Sequence, residues 1–138
     1  AQRRKVGILA RVPLSSGMLT GKMGRKTSFE SDDHRQGNRN GEWFDRGETF
    51  SGLDYETGLH AVEELRALLP LGMTLAQMAL SWILMSPVVT CAIPGAKRPA
   101  QVDENVQAAE LPALSEETMM QVRAIYDRLI RPQVHHYW

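Results

Sequence analysis

The chain has 138 residues, 43% of them apolar, and 16 acidic against 16 basic side chains, which is typical of one soluble globular domain. Its longest apolar run, Met78 to Met85, is too short for a membrane span, and the N-terminal apolar stretch is too short for a signal peptide. A single cysteine, Cys91, excludes an intrachain disulfide and a multi-cysteine metal site, so we expect a reducing, cytoplasmic setting.

Charge is unevenly distributed along the sequence. The first fifty residues hold ten basic and six acidic side chains, whereas the remainder holds six and ten. Trp43 and Phe44 lie among arginines, a combination found in nucleic-acid-binding surfaces, but Glu42, Asp45 and Glu48 cancel much of that positive field. We therefore expect neither a nucleic-acid partner nor a membrane partner.

The first 54 residues predict one strand followed by a long loop. Val6 to Ala10 is a short apolar run bounded by charged residues and by Pro13, which is typical of a buried strand. Residues 15–54 are polar and glycine-rich and have neither helical nor strand periodicity. Loops of this length in compact domains are usually functional or disordered, so we interpret this one as a lid or a solvated excursion.

Regular patterns return in the middle of the chain and predict two helices. The first ends near Pro70, and its apolar stripe consists of Leu59, Val62, Leu65, Leu68 and Leu69. Thr74 and Gln77 have the spacing of a capping box, which predicts the start of a second helix that Pro87 stops. The apolar stripe of this second helix consists of Leu75, Met78, Ala79, Trp82 and Ile83.

The last fifty residues predict a second strand and two further helices. Val88 to Ile93 is typical of a buried strand, and Pro99 suits the first position of a helix that runs to about Ala109. Ser115 predicts the start of a last helix that extends to Pro132. Its buried face consists of Met119, Val122, Ile125 and Leu129. The alternation of strands and helices predicts an α/β fold with parallel strands.

The turn after the second strand has the strongest chemical signal. A helix N-terminus offers free backbone N–H groups and a partial positive charge, Gly95 permits close approach, and Lys97 and Arg98 add two full charges. This combination favours a phosphate site. The alternative is that Lys97 and Arg98 are solvated loop residues that bind no ligand. The loop after the first strand is also rich in small residues, but it lacks the glycine spacing of a P-loop and the hydroxyl that follows the P-loop lysine.

Other catalytic or metal sites are not expected. His135 and His136 are adjacent and therefore point apart in regular structure, so they need ligands from elsewhere to hold a metal ion. No arrangement of serine, histidine and aspartate, or of paired carboxylates, can be argued from residue spacing.

Together these segments resemble the C-terminal part of the aldo-keto reductases, a family of NADP(H)-binding (β/α)8 barrels. VGILARVPLSSGMLTGKM resembles the seventh strand and its loop, and LAQMALSWILMSP resembles the helix before strand eight. DDHR and FDRGETF resemble an excursion of one bacterial branch, and IPGAKRPAQVDEN resembles the terminal cofactor motif. The likeness extends to the tail, RPQVHHYW. It implies an α/β fold, the C-terminal part of a TIM barrel, with two parallel strands and about four helices in this chain.

The resemblance also implies cofactor contacts. Those along the nicotinamide end and the pyrophosphate would be Pro13, Leu14, Ser15, Ser16, Gly17 and Lys22. Those at the 2'-phosphate side of the adenosine would be Gly95, Lys97 and Arg98, and those around the adenine would be Gln101, Glu104 and Asn105. The last three have spacings that place them on one helix face. The implied organisation is a strand and cofactor loop in residues 1–23, a polar loop in 24–54, and the remaining elements in 55–138.

The family's reaction is hydride transfer between NADPH and an aldehyde or ketone, with Asp, Tyr, Lys and His on earlier strands. Tyr55, Tyr126 and Tyr137 do not match the catalytic tyrosine, and Arg11 stands where many relatives have an aromatic ring on the nicotinamide. We therefore expect an NADPH-binding part that turns over a small carbonyl substrate only with the missing half. The alternative is a non-catalytic nucleotide-binding or protein-interaction module that completes its sheet by homo-oligomerisation or with a complementing chain.

Overall fold

The computed structural model, which describes residues 1–137, consists of short elements joined by long connections. The strands are β1 (Leu9–Arg11) and β2 (Cys91–Ile93). The helices are α1 (His34–Gly37), α2 (Tyr55–Arg66), α3 (Leu75–Leu84), α4 (Pro99–Gln107), α5 (Glu116–Ile125) and α6 (Arg131–Val134). Short 3-10 helices are Gln2–Arg4, Ser15–Thr20, Arg46–Glu48, Phe50–Gly52 and His135–Tyr137. Trp138, the last residue of the tail, lies outside the described residues.

The two strands pair in parallel, as predicted, with Leu9 opposite Cys91. Both are shorter than the predicted runs. At their N-terminal ends the Thr90 N–H donates to the Ile8 carbonyl at 2.9 Å, while the Ile8 N–H donates to the Thr90 hydroxyl at 3.0 Å. Because a side-chain oxygen replaces a backbone acceptor there, the regular ladder starts only one residue later.

The strands are not buried, contrary to the prediction. Leu9 is 63% exposed and Ile93 is 53% exposed. Leu9 is opposite Cys91, and residues two apart on a strand share a face, so Leu9 and Ile93 lie on the same face of the strand pair. Within residues 1–137 each strand pairs only with the other, and the same face also bears Arg11, which is opposite Ile93.

The predicted helix starts are confirmed where the capping group is local. Thr74 and Gln77 form a capping box at the start of α3, and the Ser115 hydroxyl accepts from the Thr118 N–H at 3.1 Å at the start of α5. Pro99 is the first residue of α4. No helix within residues 1–137 has both the length and the apolar character needed to cross a membrane.

The predicted helix ends and apolar stripes agree less well with the structure than the predicted helix starts. Helix α2 ends at Arg66 rather than near Pro70, and Trp82, expected on the buried stripe of α3, is 46% exposed. Leu75 and Met78 on that stripe are buried. Periodicity identifies an apolar face, but the described part of the chain lacks an element that covers Trp82.

The last helix does not stop at Pro132. Proline has no N–H, and the helix widens before it into a π-helical turn, Tyr126–Ile130, in which the Arg131 N–H donates to the Tyr126 carbonyl. Helix α6 then places Gln133 against α2. The Gln133 side-chain carbonyl accepts from the Asp54 N–H at 3.0 Å, and the side-chain amide of Gln133 donates to the Thr57 hydroxyl at 3.0 Å.

The core lies between α2, α3 and the segment that precedes α2. Its buried side chains are Met18, Phe50, Tyr55, Val62, Leu75, Met78 and Leu114. Phe50 belongs to the predicted polar loop, yet it is 1% exposed, and its ring centroid is 5.2 Å from that of Tyr55 and 6.2 Å from that of Phe29. The excursion is therefore not solvated, and residues 24–54 contribute to the core.

We expect replacement of Gly58 by alanine to lower the free energy of unfolding. A Cβ there would lie 2.2 Å from the buried Met18 sulfur, and such overpacking costs about 1–3 kcal/mol. The higher helix propensity of alanine offsets up to about 1 kcal/mol of this cost, so the expected net loss is about 1 kcal/mol. Urea denaturation measures it, with Gly24→Ala as the control because a Cβ at Gly24 meets no atom within 4 Å. Equal midpoints for both variants would contradict the packing argument.

Candidate functional site

A cavity of about 420 Å³ lies where the loop after β1 meets α2, α3 and the turn before α4. The predicted cofactor-binding residues that line it are Leu14, Lys22, Gly95, Gln101, Glu104 and Asn105. Its other lining residues are Thr20, Gly21, Arg66, Leu69, Thr74, Leu75 and Ala76. The two turns that the sequence singled out therefore meet at one site, although the chain between them is long.

The wall formed by α4 is fixed by polar contacts to α3. The Gln77 amide donates to the Glu104 carbonyl at 3.4 Å, and the Ser81 hydroxyl donates to the Ala108 carbonyl at 2.9 Å. Both α3 side chains are buried, so these bonds are shielded from water and set how α4 lies on α3. The face that bears Glu104 and Asn105 is thereby held against the cavity.

The two N–H groups just before α4, those of Lys97 and Arg98, are hydrogen-bonded within the chain. The Gln101 side-chain carbonyl accepts from the Lys97 N–H at 2.8 Å and from the Arg98 N–H at 3.1 Å. The Lys97 and Arg98 side chains are exposed and do not line the cavity, whereas Gly95 does. At this turn Lys97 and Arg98 therefore offer an anion their charged side chains rather than their N–H groups.

Ser15 and Ser16, at the start of the loop after β1, do not line the cavity but form hydrogen bonds to the excursion, which is residues 24–54. Ser15, Ser16 and Gly17 have positive φ angles of 48°, 55° and 91°. The Ser16 hydroxyl accepts from the Phe50 N–H at 3.2 Å and donates to the Glu48 carbonyl at 3.4 Å. For the two serines such a backbone conformation costs about 1–3 kcal/mol each and persists only where surrounding contacts impose it, whereas Gly17 adopts a positive φ without that cost. These contacts to the excursion impose it on the serines here.

The remaining contacts of this loop follow the same pattern. The Ser15 and Ser51 hydroxyls lie 3.2 Å apart, and Pro13 is buried. Of the predicted residues in residues 13–22, only Leu14 and Lys22 line the cavity.

An ion pair joins the excursion to the end of β1. The Arg11 guanidinium donates to both carboxylate oxygens of Glu48 at 2.7 and 2.8 Å. This bidentate bond lowers the pKa of Glu48 and raises that of Arg11. Arg11 therefore holds a carboxylate of this chain at the carboxyl end of β1.

Asn38 organises the excursion. It is fully buried, its amide donates to the Thr49 hydroxyl at 3.1 Å and to the Asp45 carbonyl at 3.2 Å, and its side-chain carbonyl accepts from two successive N–H groups at 2.9 Å. Those N–H groups belong to Trp43 and Phe44. The sequence gives no signal for this role, because asparagine in a polar loop is ordinarily solvated.

We expect an acid-sensitive contribution from Asp33. Hydrogen bonds from Arg35, at 2.5 to 3.1 Å, lower the pKa of Asp33 from its ordinary value of 3.8 to about 2. Because the folded-state pKa is the lower one, the stabilisation is complete above pH 4 and is lost as the pH falls toward 2. It amounts to at most about 2 kcal/mol.

Urea midpoints measured between pH 5 and pH 2 test this expectation. Wild type should lose more stability over that range than Asp33→Asn, whereas the exposed neighbour variant Asp32→Asn should behave as wild type. Parallel curves for wild type and Asp33→Asn would disprove the contribution.

The tyrosines and histidines have structural contacts. The Tyr55 hydroxyl donates to the Gly24 carbonyl at 3.1 Å, and the Arg39 guanidinium lies 4.5 Å from the Tyr55 ring centroid. Tyr126 and His135 are hydrogen-bonded at 2.8 Å. In the part of the chain that the structure describes, no three side chains of histidine, cysteine, aspartate or glutamate form a cluster that could hold a metal ion.

Arg66 is a cavity residue that sequence reasoning missed. Its guanidinium donates to the Gly21 carbonyl at 2.7 Å, across the boundary between α2 and the loop after β1. In the sequence it is one of several charged residues on a helix flank, and no local pattern distinguishes it from solvated neighbours.

Comparison with known proteins finds one family. The profile of the Aldo/keto reductase family matches residues 1–127. L-glyceraldehyde 3-phosphate reductase of Escherichia coli O157:H7 is 38% identical over 122 residues, which are 88% of this chain and 34% of that protein. A probable voltage-gated potassium channel subunit beta of Arabidopsis thaliana is 32% identical over 106 residues. The chain thus spans about a third of the length of the curated relatives it matches.

Solved structures of an aldo-keto reductase and of a glycerol dehydrogenase are similar to this chain in fold. The glycerol dehydrogenase of Gluconobacter oxydans superposes with a TM-score of 0.73 at 29% identity, covering 94% of this chain and 37% of that one. An aldo-keto reductase of Bacillus halodurans in its holo form superposes with a TM-score of 0.58 at 22% identity, over 90% of this chain and 35% of that one, and supports the fold alone. The resemblance seen in the sequence is confirmed, as is the α/β fold class of a C-terminal barrel part.

Proposed function

This chain belongs to the aldo/keto reductase family, and from that premise we propose that it is the cofactor-binding part of an NADP(H)-dependent oxidoreductase. The reaction proposed for the whole enzyme is hydride transfer between NADPH and an aldehyde or ketone. The observation that carries the proposal is the cavity, because it joins Lys22 on one loop to Gln101, Glu104 and Asn105 on α4.

The lining of the cavity fits a nucleotide. Its volume, about 420 Å³, falls in the range of small-molecule sites. On the α4 side, Glu104 and Asn105 offer oxygen acceptors, which suit the amine of adenine and the hydroxyls of ribose. On the loop side, cationic groups suit phosphate. The nicotinamide of the bound dinucleotide would supply the hydride, and this chain's residues bind and orient the remainder of the molecule.

Preference for NADP(H) rests on Lys97 and Arg98. Both follow Gly95, which lines the cavity, and their side chains are exposed and therefore able to reach a phosphate that projects from the cavity. Since the neighbouring N–H groups are bonded to Gln101, the side chains must supply the charge. Two charge-assisted contacts distinguish a dinucleotide that carries a 2'-phosphate from one that does not.

Carbonyl turnover would need residues outside this chain. The family's catalytic tyrosine has no match here, and the hydroxyls of Tyr55 and Tyr126 are hydrogen-bonded within the fold. We therefore expect the isolated 138-residue chain to bind the cofactor and to lack reductase activity.

Titration with NADPH and with NADH, followed by tryptophan fluorescence, tests the proposal. Saturable binding with a preference for NADPH supports it, and absence of binding to both removes it. An assay with NADPH and a test aldehyde follows, in which measurable turnover by the purified chain would refute the expectation that this chain by itself lacks reductase activity.

A second candidate is a non-catalytic interaction module. Leu9 and Ile93 are exposed on the strand pair, and apolar strand faces in soluble proteins are normally covered. The likeness to a potassium channel beta subunit is compatible with such a role. Sedimentation over a hundredfold range of concentration distinguishes the two: self-association that Leu9→Lys abolishes favours the module, and a monomer at all concentrations excludes homo-oligomerisation.

A further inference from the structure

Arg66 and Lys22 are the two cationic side chains that line the cavity. Within residues 1–137, Lys22 takes part in no ion pair. Arg66 has one carboxylate neighbour, Glu63, whose Oε1 lies 3.5 Å from the Arg66 Nε, longer than an ordinary hydrogen bond. Both charges are therefore available to an anion in the cavity.

The position of the Arg66 guanidinium depends on Gly21. Its Nη2 donates to the Gly21 carbonyl at 2.7 Å, and a Cβ on Gly21 would lie 2.8 Å from that nitrogen. Gly21 also has a φ of 68°, a conformation that favours glycine. A guanidinium has five N–H donors, so the bond to the carbonyl leaves donors for a second acceptor.

Inside the cavity, the opposite wall is unsuitable for a negative charge, because Lys97 and Arg98 lie outside the lining. Glu104 lines it with a carboxylate, and the Gln101 carbonyl occupies the N–H groups before α4. An anionic ligand is therefore oriented with its charge toward Arg66 and its hydrogen-bond donors toward α4. On the basis of the proposed function, we propose that Arg66 binds the pyrophosphate of the dinucleotide together with Lys22.

The assignment separates Arg66 from the residues of the 2'-phosphate. NADH and NADPH share the pyrophosphate, so Arg66→Gln should weaken the binding of both by a similar factor of at least ten, measured by fluorescence titration of the 138-residue chain. Arg66→Lys keeps the charge but loses the planar fork and should have an intermediate effect. The control is Arg123→Gln, which removes the same charge from an exposed position on α5.

Each outcome has a distinct meaning. If wild type binds both dinucleotides and Arg66→Gln binds them equally well, the inference is wrong and the proposed function stands. If Arg66→Gln weakens NADPH alone, Arg66 faces the 2'-phosphate and the pyrophosphate assignment is wrong. If wild type binds neither, both are wrong.

Inorganic pyrophosphate provides a test that needs no variant. It should compete with NADH for the unmodified chain, and the competition should weaken as ionic strength rises, because charges in an open cavity are screened by salt. Failure of pyrophosphate to displace NADH at any concentration up to its solubility would overturn the assignment even if Arg66→Gln does not fold.

Discussion

Replacement of Asn38 with leucine is expected to lower the free energy of unfolding by about 3 kcal/mol, the largest stability effect that we predict. Four hydrogen bonds are lost, and the Trp43 and Phe44 N–H groups lose their acceptor. A buried donor left without a partner costs about 1–3 kcal/mol, whereas the extra apolar surface of leucine offsets only part of this.

Equilibrium urea unfolding, followed by fluorescence and by circular dichroism, measures the loss. Asn40→Leu is the matched control, because Asn40 is an exposed asparagine of the same segment, and within residues 1–137 its side-chain hydrogen bond is to Glu42. It should change stability by less than about 0.5 kcal/mol. An Asn38→Leu midpoint equal to that of Asn40→Leu would show that the buried network contributes no stability.

Replacement of both Lys97 and Arg98 with methionine is expected to lower the affinity for NADPH by about two to four powers of ten. Affinity for NADH should change little, because NADH lacks the 2'-phosphate. Methionine retains the length of the side chains and removes their charge, and the backbone N–H groups of both positions remain bonded to Gln101.

The control for the double variant is Arg3→Met with Arg4→Met, an adjacent exposed pair outside the cavity lining. It removes the same net charge, so any change in NADPH affinity that it causes reports the long-range field alone. The assignment fails if the two double variants bind NADPH equally, or if the Lys97 and Arg98 variant loses affinity for NADH to the same extent.

The two double variants and Arg66→Gln divide the cavity into subsites. Loss of NADPH binding alone identifies the turn before α4 as the 2'-phosphate side, and parallel loss of both dinucleotides identifies the Arg66 side as the pyrophosphate side. Such a division would give the proposed cofactor a direction across the chain, from the loop after β1 to α4.

The sequence by itself determined the features that depend on neighbouring residues. The capping box of Thr74 and Gln77, the proline that begins α4 and the Ser115 cap were predictable because each is a contact over a few residues. The parallel pairing of the two strands also followed from the alternation of strands and helices.

Only the tertiary structure decided how the excursion folds and which charges line the cavity. The bonds of Asn38 within a polar loop, the burial of Phe50 in the core and the contact of Arg66 with Gly21 leave no periodic pattern. Arg66 and Gly21 are 45 positions apart in the chain, and the contact forms only because α2 packs beside the loop after β1. Local chemistry fixes where an element begins, whereas packing between distant segments fixes which side chains share a site.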